Sequence, residues 1–374
     1  MSDIQAVVLA AGEGTRLRPL TKNRPKVMLP VANRPILEHV LNSVVAAGMR
    51  DITVVVGYRK EQVMSFLNTY PVPVKVAIQD KQLGTAHALS MAKEFIHTKT
   101  IVIPGDNYID SGSLRLLMER ENAVLAAQDA SPSNYGVISG NDGLLTEIVE
   151  KPNNAKAESL VSCGAYVFMP DIIDNIHQQN IPDLLQELIL NGEKISVVMA
   201  KDWQDAIYPE DLLLINKHLL KQVKSKVSGV VDKSVVLQGH VSIGKNTIIG
   251  PGTVISGPAI IGEDCRIGSN VSIGAGTSIG SRVKIEPFTY VENSIMMSDC
   301  MIGSHSRVVD TVMGYGCICA NHLSTVSGDY GAIIGDRVTI GPFTLIKEGI
   351  IGNNAVIEGG KIVEKEIPDY ALVM

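Results

Sequence analysis

The chain has 374 residues, a formal net charge of -6, and 45% hydrophobic against 19% charged residues. This length suggests two or three domains, each able to bury a core, and the acidic balance argues against a general nucleic-acid or membrane-surface binder, which would present a basic face. The five cysteines, an odd number with no Cys-x-x-Cys pair, read as reduced thiols of a cytoplasmic protein, and no run approaches the eighteen or so apolar residues of a membrane span.

Ile4 to Leu9, preceded by the acidic Asp3, reads as a buried parallel strand rather than a signal peptide. Leu9-Ala10-Ala11-Gly12-Glu-Gly14-Thr15-Arg16-Leu-Arg18-Pro-Leu-Thr21 then joins it to a glycine-rich loop. Gly12 and Gly14 let backbone N–H groups approach an anion closely. From 16 to 26 the chain carries Arg16, Arg18, Lys22, Arg24 and Lys26, five cations with no acid, in a protein that is acidic overall. An anionic ligand, of polyphosphate type, is the expected partner. A Walker loop is excluded because Thr15-Arg16 follows Gly14, and a dinucleotide fingerprint because Leu17 stands where its third glycine belongs.

Ile36, Leu37, Val40, Leu41, Val44 and Val45 recur at helical spacing, and Gly48 ends that helix. Ile52 to Val56, Val74 to Ile78 and Thr100 to Ile103 read as strands, with helices over 85–97 and 111–121 between and after them. The alternation predicts an α/β domain with a Rossmann-like, mainly parallel mixed sheet. Past Tyr135 the strands are expected to be shorter and more polar. A helix is expected from Pro209 to Lys226, and the boundary near Ser225, giving domains 1–225 and 226–374.

A six-residue period governs the rest. Val231, Leu237, Ile243, Ile249, Ile255, Ile261, Ile267, Ile273, Ile279, Ile285 and Val291 follow one another at steps of six, many with glycine next. This hexapeptide pattern describes a parallel β-helix whose aliphatic side chains fill a prism, three hexapeptides to a coil in the left-handed form. The register breaks after Val291 and restarts at Ile302-Gly303, Met313-Gly314 and Ile334-Gly335, so loops are expected to leave the solenoid there.

The string Gly-x-Gly-Thr-Arg, Leu-Arg-Pro-Leu-Thr, Pro25-Lys26 closely resembles the signature of sugar-1-phosphate nucleotidylyltransferases. The β-helix is similar to that of hexapeptide acyltransferases, so the whole chain looks like the archaeal-type bifunctional enzymes that carry N-acetylglucosamine-1-phosphate uridylyltransferase and glucosamine-1-phosphate N-acetyltransferase activities. The resemblance implies attack of a sugar-1-phosphate on the α-phosphorus of a nucleoside triphosphate, UTP or dTTP, with N-acetylglucosamine-1-phosphate or glucose-1-phosphate as acceptor and pyrophosphate as leaving group. A phosphate monoester with a second pKa near ~6 is already mostly dianionic at neutral pH, so no general base is required.

By this resemblance Arg16 and Lys26 neutralise the triphosphate, and Asp106 with Asp205 holds Mg²⁺. Leu9, Ala10, Ala11, Gly12, Gly14 and Thr15, together with Gln79, Gly84 and Thr85, bind the nucleotide. The Gln79 amide is expected to donate to one carbonyl of uracil or thymine and accept from its ring N–H, while Gly84-Thr85 allows close approach. His87 reads as a packed or capping histidine. Gly136, Glu150, Lys151 and Ser162 serve the sugar phosphate; Ser162 stands where many relatives have asparagine.

A second candidate site, for acetyl transfer, comprises His305 and Asn321. It matches the pattern poorly: His305 is displaced by one residue, and Asn321 follows Gly314 as though a hexapeptide were missing. A structural or oligomerising β-helix, forming a homotrimer or a dimer of trimers, is therefore the expectation. Mannose-1-phosphate guanylyl transfer and a regulatory nucleotide-sugar-binding subunit are the alternatives.

Overall fold

The computed structural model describes residues 4–374 apart from Ser327 and Asp329. Two compact units emerge from its contacts: one holds Arg24–Met28, Ile36–Asp205 and the segment before Gly14, the other Gly14–Asn23, Leu29–Pro35 and Ala206–Met374.

The first unit is the expected Rossmann-like α/β fold. Its sheet runs in the order Lys75–Ile78, Ile52–Val56, Gln5–Ala10, Thr100–Pro104, Ser159–Phe168, Ala123–Asp129, Ser196–Met199, Leu144–Glu150, Gly136–Asn141. The first four strands are parallel, and Ser159–Phe168 enters antiparallel to Thr100–Pro104. Val, Ile and Ala dominate Gln5–Ala10, Ile52–Val56 and Thr100–Pro104 because both faces are covered, all of Ile52–Val56 being buried, whereas the edge strand Lys75–Ile78 is partly exposed. The helix Ile36–Ala47 turns Ile36, Leu37, Val40, Leu41 and Val44 inward.

Two expectations need correction. The helix over 85–97 is a short α-helix, Thr85–Ser90, followed by a separate 3-10 turn at Lys93–Phe95; the Ser90 hydroxyl bonds back to the His87 carbonyl at 2.8 Å, a local alternative to continued helix. Ser159–Phe168, expected among short polar strands, is ten residues long and sits mid-sheet, with its second half buried. The helix Asp211–Leu220, which the sequence places before the expected boundary near Ser225, clusters by contacts with the second unit. Asn216 on that helix is fully buried: its Oδ1 accepts from Ala32 N at 2.8 Å and Ser278 Oγ at 2.6 Å, and its Nδ2 donates to Gly276 O at 2.8 Å.

In the second unit three parallel sheets of eight, nine and eight strands form the left-handed β-helix. Ile243, Ile249, Ile255, Ile261 and their successors fill its interior as the period predicts. The register breaks resolve differently from expectation. Val254 pairs with Ser272 on the next coil, but Tyr290 pairs with Arg307, one residue sooner, so the period shortens within the corner and the coil continues without an excursion. Ser324 pairs with Leu345, so the added residues there lie between Val326 and Ala332. No coil is missing before Asn321, since Ile318 pairs in sequence with Met301 and Thr339.

The β-helix also holds the segment Gly14–Asn23. Asn353, 2% exposed, donates from Nδ2 to Pro19 O at 3.1 Å, Lys22 pairs with Asp369, and Asn23 donates to Asp336 at 3.3 Å. Asn33 donates to Ile279 O at 2.6 Å.

Candidate active site

Strand ends build the acidic centre. Thr100–Pro104 ends at Gly105-Asp106, and Gly105 N donates to Leu9 O at 2.8 Å; a Cβ on Gly105 would lie 2.9 Å from that oxygen, so this approach requires glycine. Asn107–Ile109 then pairs antiparallel with Trp203–Asp205, setting Asp205 opposite Asn107. This register is what joins two carboxylates from distant parts of the sequence.

Lys26, 8% exposed on the 3-10 turn Lys26–Met28, lies between them, its Nζ 2.8 Å from Asp106 Oδ2 and 3.1 Å from Asp205 Oδ1. Burial by itself pushes the ammonium's pKa down, but attraction and hydrogen bonds from the two aspartates outweigh it and the net shift is upward. Lys26 is therefore a fixed positive charge. With its amide turned to satisfy its neighbours, Asn107 donates to Asp205 Oδ1 at 2.6 Å and to Asp106 Oδ1 at 3.3 Å. Asn107 is a residue that sequence reasoning passed over; its only signal was its place next to Asp106 after a strand.

The glycine loop forms a tight turn. Gly14 is left-handed at φ 69° and its carbonyl accepts from Thr21 Oγ1 at 2.7 Å. Thr15 and Arg16 follow on the 3-10 turn Thr15–Leu17, both exposed, and nothing lies within 4 Å of a Cβ built on Gly12. Ala10 and Ala11 are buried, and the carbonyls of Leu9 and Ala11 are engaged by Gly105 N and by Tyr58 N at 3.0 Å, so this stretch offers a ligand fewer acceptors than its length suggests.

Gln79 is 2% exposed at the end of strand Lys75–Ile78, its N–H donating to Val56 O at 2.8 Å. Its amide Nε2 faces Gly84 O at 3.1 Å and His87 Nδ1 at 2.9 Å. Both amide hydrogens are thereby engaged, which leaves Gln79 able to accept but not to donate as expected. Gly84-Thr85 serves a nearer neighbour than a ligand. A Cβ on Gly84 would meet Gln179 O at 2.3 Å, and Thr85 Oγ1 accepts from Ile181 N at 2.9 Å.

A Cβ on Gly136 would lie 3.1 Å from Glu150 Oε2 and 3.3 Å from Ile148 Cδ1, so the first neighbour that this glycine spares is Glu150. Glu150 and Lys151 form a half-exposed ion pair at 2.8 Å. Ser162 Oγ meets the Tyr166 hydroxyl at 3.0 Å and accepts from Gly164 N at 3.2 Å, and burial pushes the Tyr166 phenol's pKa up. The Trp203 indole packs edge-on to Tyr135 at 5.1 Å, and its N–H is buried without a hydrogen-bond partner among the described residues.

On the β-helix, His305 sits at a left-handed corner, φ 58°, in a column of stacked rings: Phe288 at 5.1 Å on one side, His322 at 5.2 Å on the other, then Phe343. Asn321 Oδ1 accepts from Ser304 N at 2.9 Å.

Comparison with known proteins places these features among relatives. Residues 5–222 match the family model described as nucleotidyl transferase, and residues 254–358 match the GMPPB C-terminal domain. The chain is 34% identical to the "Bifunctional protein GlmU" of Methanococcus maripaludis, over 99% of this chain and 97% of that one. It is 34% identical to the "Low-salt glycan biosynthesis nucleotidyltransferase Agl11" of Haloferax volcanii, over 84% and 93%, and 36% identical to the same organism's "UTP--glucose-1-phosphate uridylyltransferase AglF", over 56% and 93%. A solved UDP-glucose pyrophosphorylase from Acinetobacter shares the fold at TM-score 0.53 and 21% identity, covering 59% of this chain and 94% of that one.

Proposed function

The chain belongs to the nucleotidyl transferase family and is a sugar-1-phosphate nucleotidyltransferase; within that class, we propose that it joins UTP or dTTP to N-acetylglucosamine-1-phosphate or glucose-1-phosphate and releases pyrophosphate. The observation that carries this reading is the convergence of Lys26, Asp106 and Asp205 on one point. Two carboxylates at a strand-end crevice suit Mg²⁺, which is ordinarily held by one or two carboxylates with water and substrate phosphates completing its shell. Asp106 and Asp205 would hold such an ion, which would supply charge neutralisation to phosphate oxygens.

The protein's own groups do the remainder. Arg16 grips the β- and γ-phosphates with its forked guanidinium, and Gly14 and Thr15 present backbone N–H groups to them. Lys26 stays charged throughout and stabilises the negative charge that grows on the leaving pyrophosphate. Gln79 accepts from the base, Leu9 to Gly12 line it, and Gly84 O steadies Gln79 from behind while Thr85 ties its helix to Ile181. Glu150 accepts hydrogen bonds from sugar hydroxyls, Lys151 meets the sugar phosphate, and Gly136 and Ser162 leave room for the ring. Because the acceptor is already anionic, orientation and charge neutralisation supply the rate.

Assembly through the β-helix into a trimer or dimer of trimers is part of this reading. On one sheet the outer residues Val230 and Ile248, then Met301 and Ile318, are exposed and apolar, with the exposed Arg266 and Lys284 between the two pairs, so the apolar ground for an interface is discontinuous.

The decisive experiment incubates the protein and Mg²⁺ with each triphosphate against glucose-1-phosphate, N-acetylglucosamine-1-phosphate and mannose-1-phosphate, reading pyrophosphate. Activity confined to GTP with mannose-1-phosphate would overturn the proposed specificity. Acetyl transfer in the β-helix is the second reading, favoured by the name of the Methanococcus relative. Against it stand the rings on both faces of His305 and the engagement of Asn321 Oδ1. Thiol release from acetyl-CoA with glucosamine-1-phosphate, abolished in His305→Ala, would establish it.

A further inference from the structure

The Gln79 amide is oriented by chemistry rather than by assignment. Gly84 O carries no hydrogen, so the group facing it at 3.1 Å must be the amide nitrogen. The same nitrogen, a donor only, faces His87 Nδ1 at 2.9 Å, so Nδ1 must accept and the neutral imidazole carries its proton on Nε2. With both hydrogens engaged, the side chain's remaining hydrogen-bonding capacity is the Oε1 lone pairs, which accept from nothing among the described residues. At 2% exposure, Gln79 has little freedom to turn toward bulk water instead.

His87 is itself held. Its backbone N–H and that of Ala86 both donate to Gln179 O, at 3.1 and 2.9 Å, and the Thr85 hydroxyl accepts from Ile181 N. The start of the helix Thr85–Ser90 is thereby tied to the segment before Ile181–Leu190, and the imidazole projects from a fixed base.

We propose that His87 is a positioning residue for base choice: by accepting the second Gln79 amide hydrogen it leaves only Oε1 to meet a base, so the site favours a ring that offers an N–H, as uracil and thymine do, over cytosine, whose ring nitrogen is itself an acceptor. This rests on the reading that Gln79 faces the base. At the ring nitrogen the two bases, equal in size, differ by one hydrogen, and the penalty there falls on the wrong one because two acceptors are brought together without a proton. Gly84 O sets which way the amide faces, and His87 keeps it from rotating about that single anchor.

The test compares His87→Phe, which keeps a ring but offers no acceptor, with His87→Asn, whose Oδ1 can stand close to where Nδ1 stood. kcat/KM for UTP and for CTP is measured by pyrophosphate release with one sugar-1-phosphate, and both affinities by calorimetry. The UTP:CTP ratio is expected to fall about tenfold in His87→Phe, one lost buried hydrogen bond being worth about that much, and to be largely kept in His87→Asn. An unchanged ratio in His87→Phe, or an equal fall in both variants, overturns the proposal. If the wild type released pyrophosphate from no substrate pair, the functional reading would fail by itself, and the calorimetric ratio would decide the role of His87 alone.

Discussion

Replacing Lys26 with Met removes the charge between Asp106 and Asp205 while keeping an unbranched side chain one atom shorter. Two carboxylate oxygens held on one nitrogen at 2.8 and 3.1 Å lie roughly 5 Å apart, and two unit charges at that spacing repel by about 3 kcal/mol at an effective dielectric constant of ~20. The Asp106 side chain is 34% exposed, so solvent screening reduces this to about 2 kcal/mol. That is a lower figure than the about 3–5 kcal/mol typical of deleting one partner of a fully buried pair. For a unit of this size it corresponds to a fall in Tm of about 4–8 °C. The pKa of Lys26 is raised in the folded state, so its contribution is fully present below the ordinary lysine value of about 10.4 and is lost only as pH climbs through the raised one. Measurement at pH 7 therefore sees all of it. The assay is thermal unfolding in EDTA and again with millimolar Mg²⁺. The variant should be less stable in EDTA and recover much of the loss with the metal, because a divalent cation can stand between the same carboxylates, while its pyrophosphate release stays low. A Tm equal to wild type in EDTA, or one indifferent to Mg²⁺, would refute the reasoning.

Asp106→Asn should lower Mg²⁺-dependent pyrophosphate release about a hundredfold or more with its circular dichroism spectrum unchanged; wild-type turnover with the same metal dependence would remove Asp106 from the metal site. Asn353→Ala deletes the donor to Pro19 O, so trypsin should cleave the Arg16–Arg24 segment faster in the native variant than in the native wild type. Equal cleavage rates would show that the β-helix does not hold that segment. All five cysteines are buried, and burial raises the thiol pKa of Cys163, Cys265 and Cys319, with Cys300 first among the causes at Cys317. Their stabilising effect is present below the unfolded thiol value of about 8.5 and fades as pH rises above it; the native protein should hardly react with an aromatic disulfide reagent at pH 8 yet expose five thiols in guanidinium, and rapid native labelling would contradict the burial.

Sequence periodicity alone determined the β-helix, because an aliphatic residue at every sixth position has no other way to be buried. It likewise determined the parallel strands around Gln5–Ala10, whose unbroken apolar runs can only be covered on both faces. Resemblance to the nucleotidylyltransferase signature, rather than periodicity or spacing, named Lys26, Asp106 and Asp205. Their convergence was decided by the tertiary structure, through the pairing of Asp205 with Asn107 and the Gly105 contact to Leu9 O. The use to which Gln79 puts its amide was equally invisible, since it depends on which atoms of Gly84 and His87 lie within 3.1 Å. The break after Val291 looked like loops because a one-residue shortening of a coil and an excursion disturb a period in the same way, and only strand register tells them apart. The helix Asp211–Leu220 clusters with the β-helix through its buried face, where Asn216 bonds Gly276 O and Ser278 Oγ beside Leu212, Ile215 and Leu219. Local sequence fixes what depends on neighbours along the chain, namely period, turn and charge; the partners of a buried polar group come from distant segments, and only the folded chain selects them.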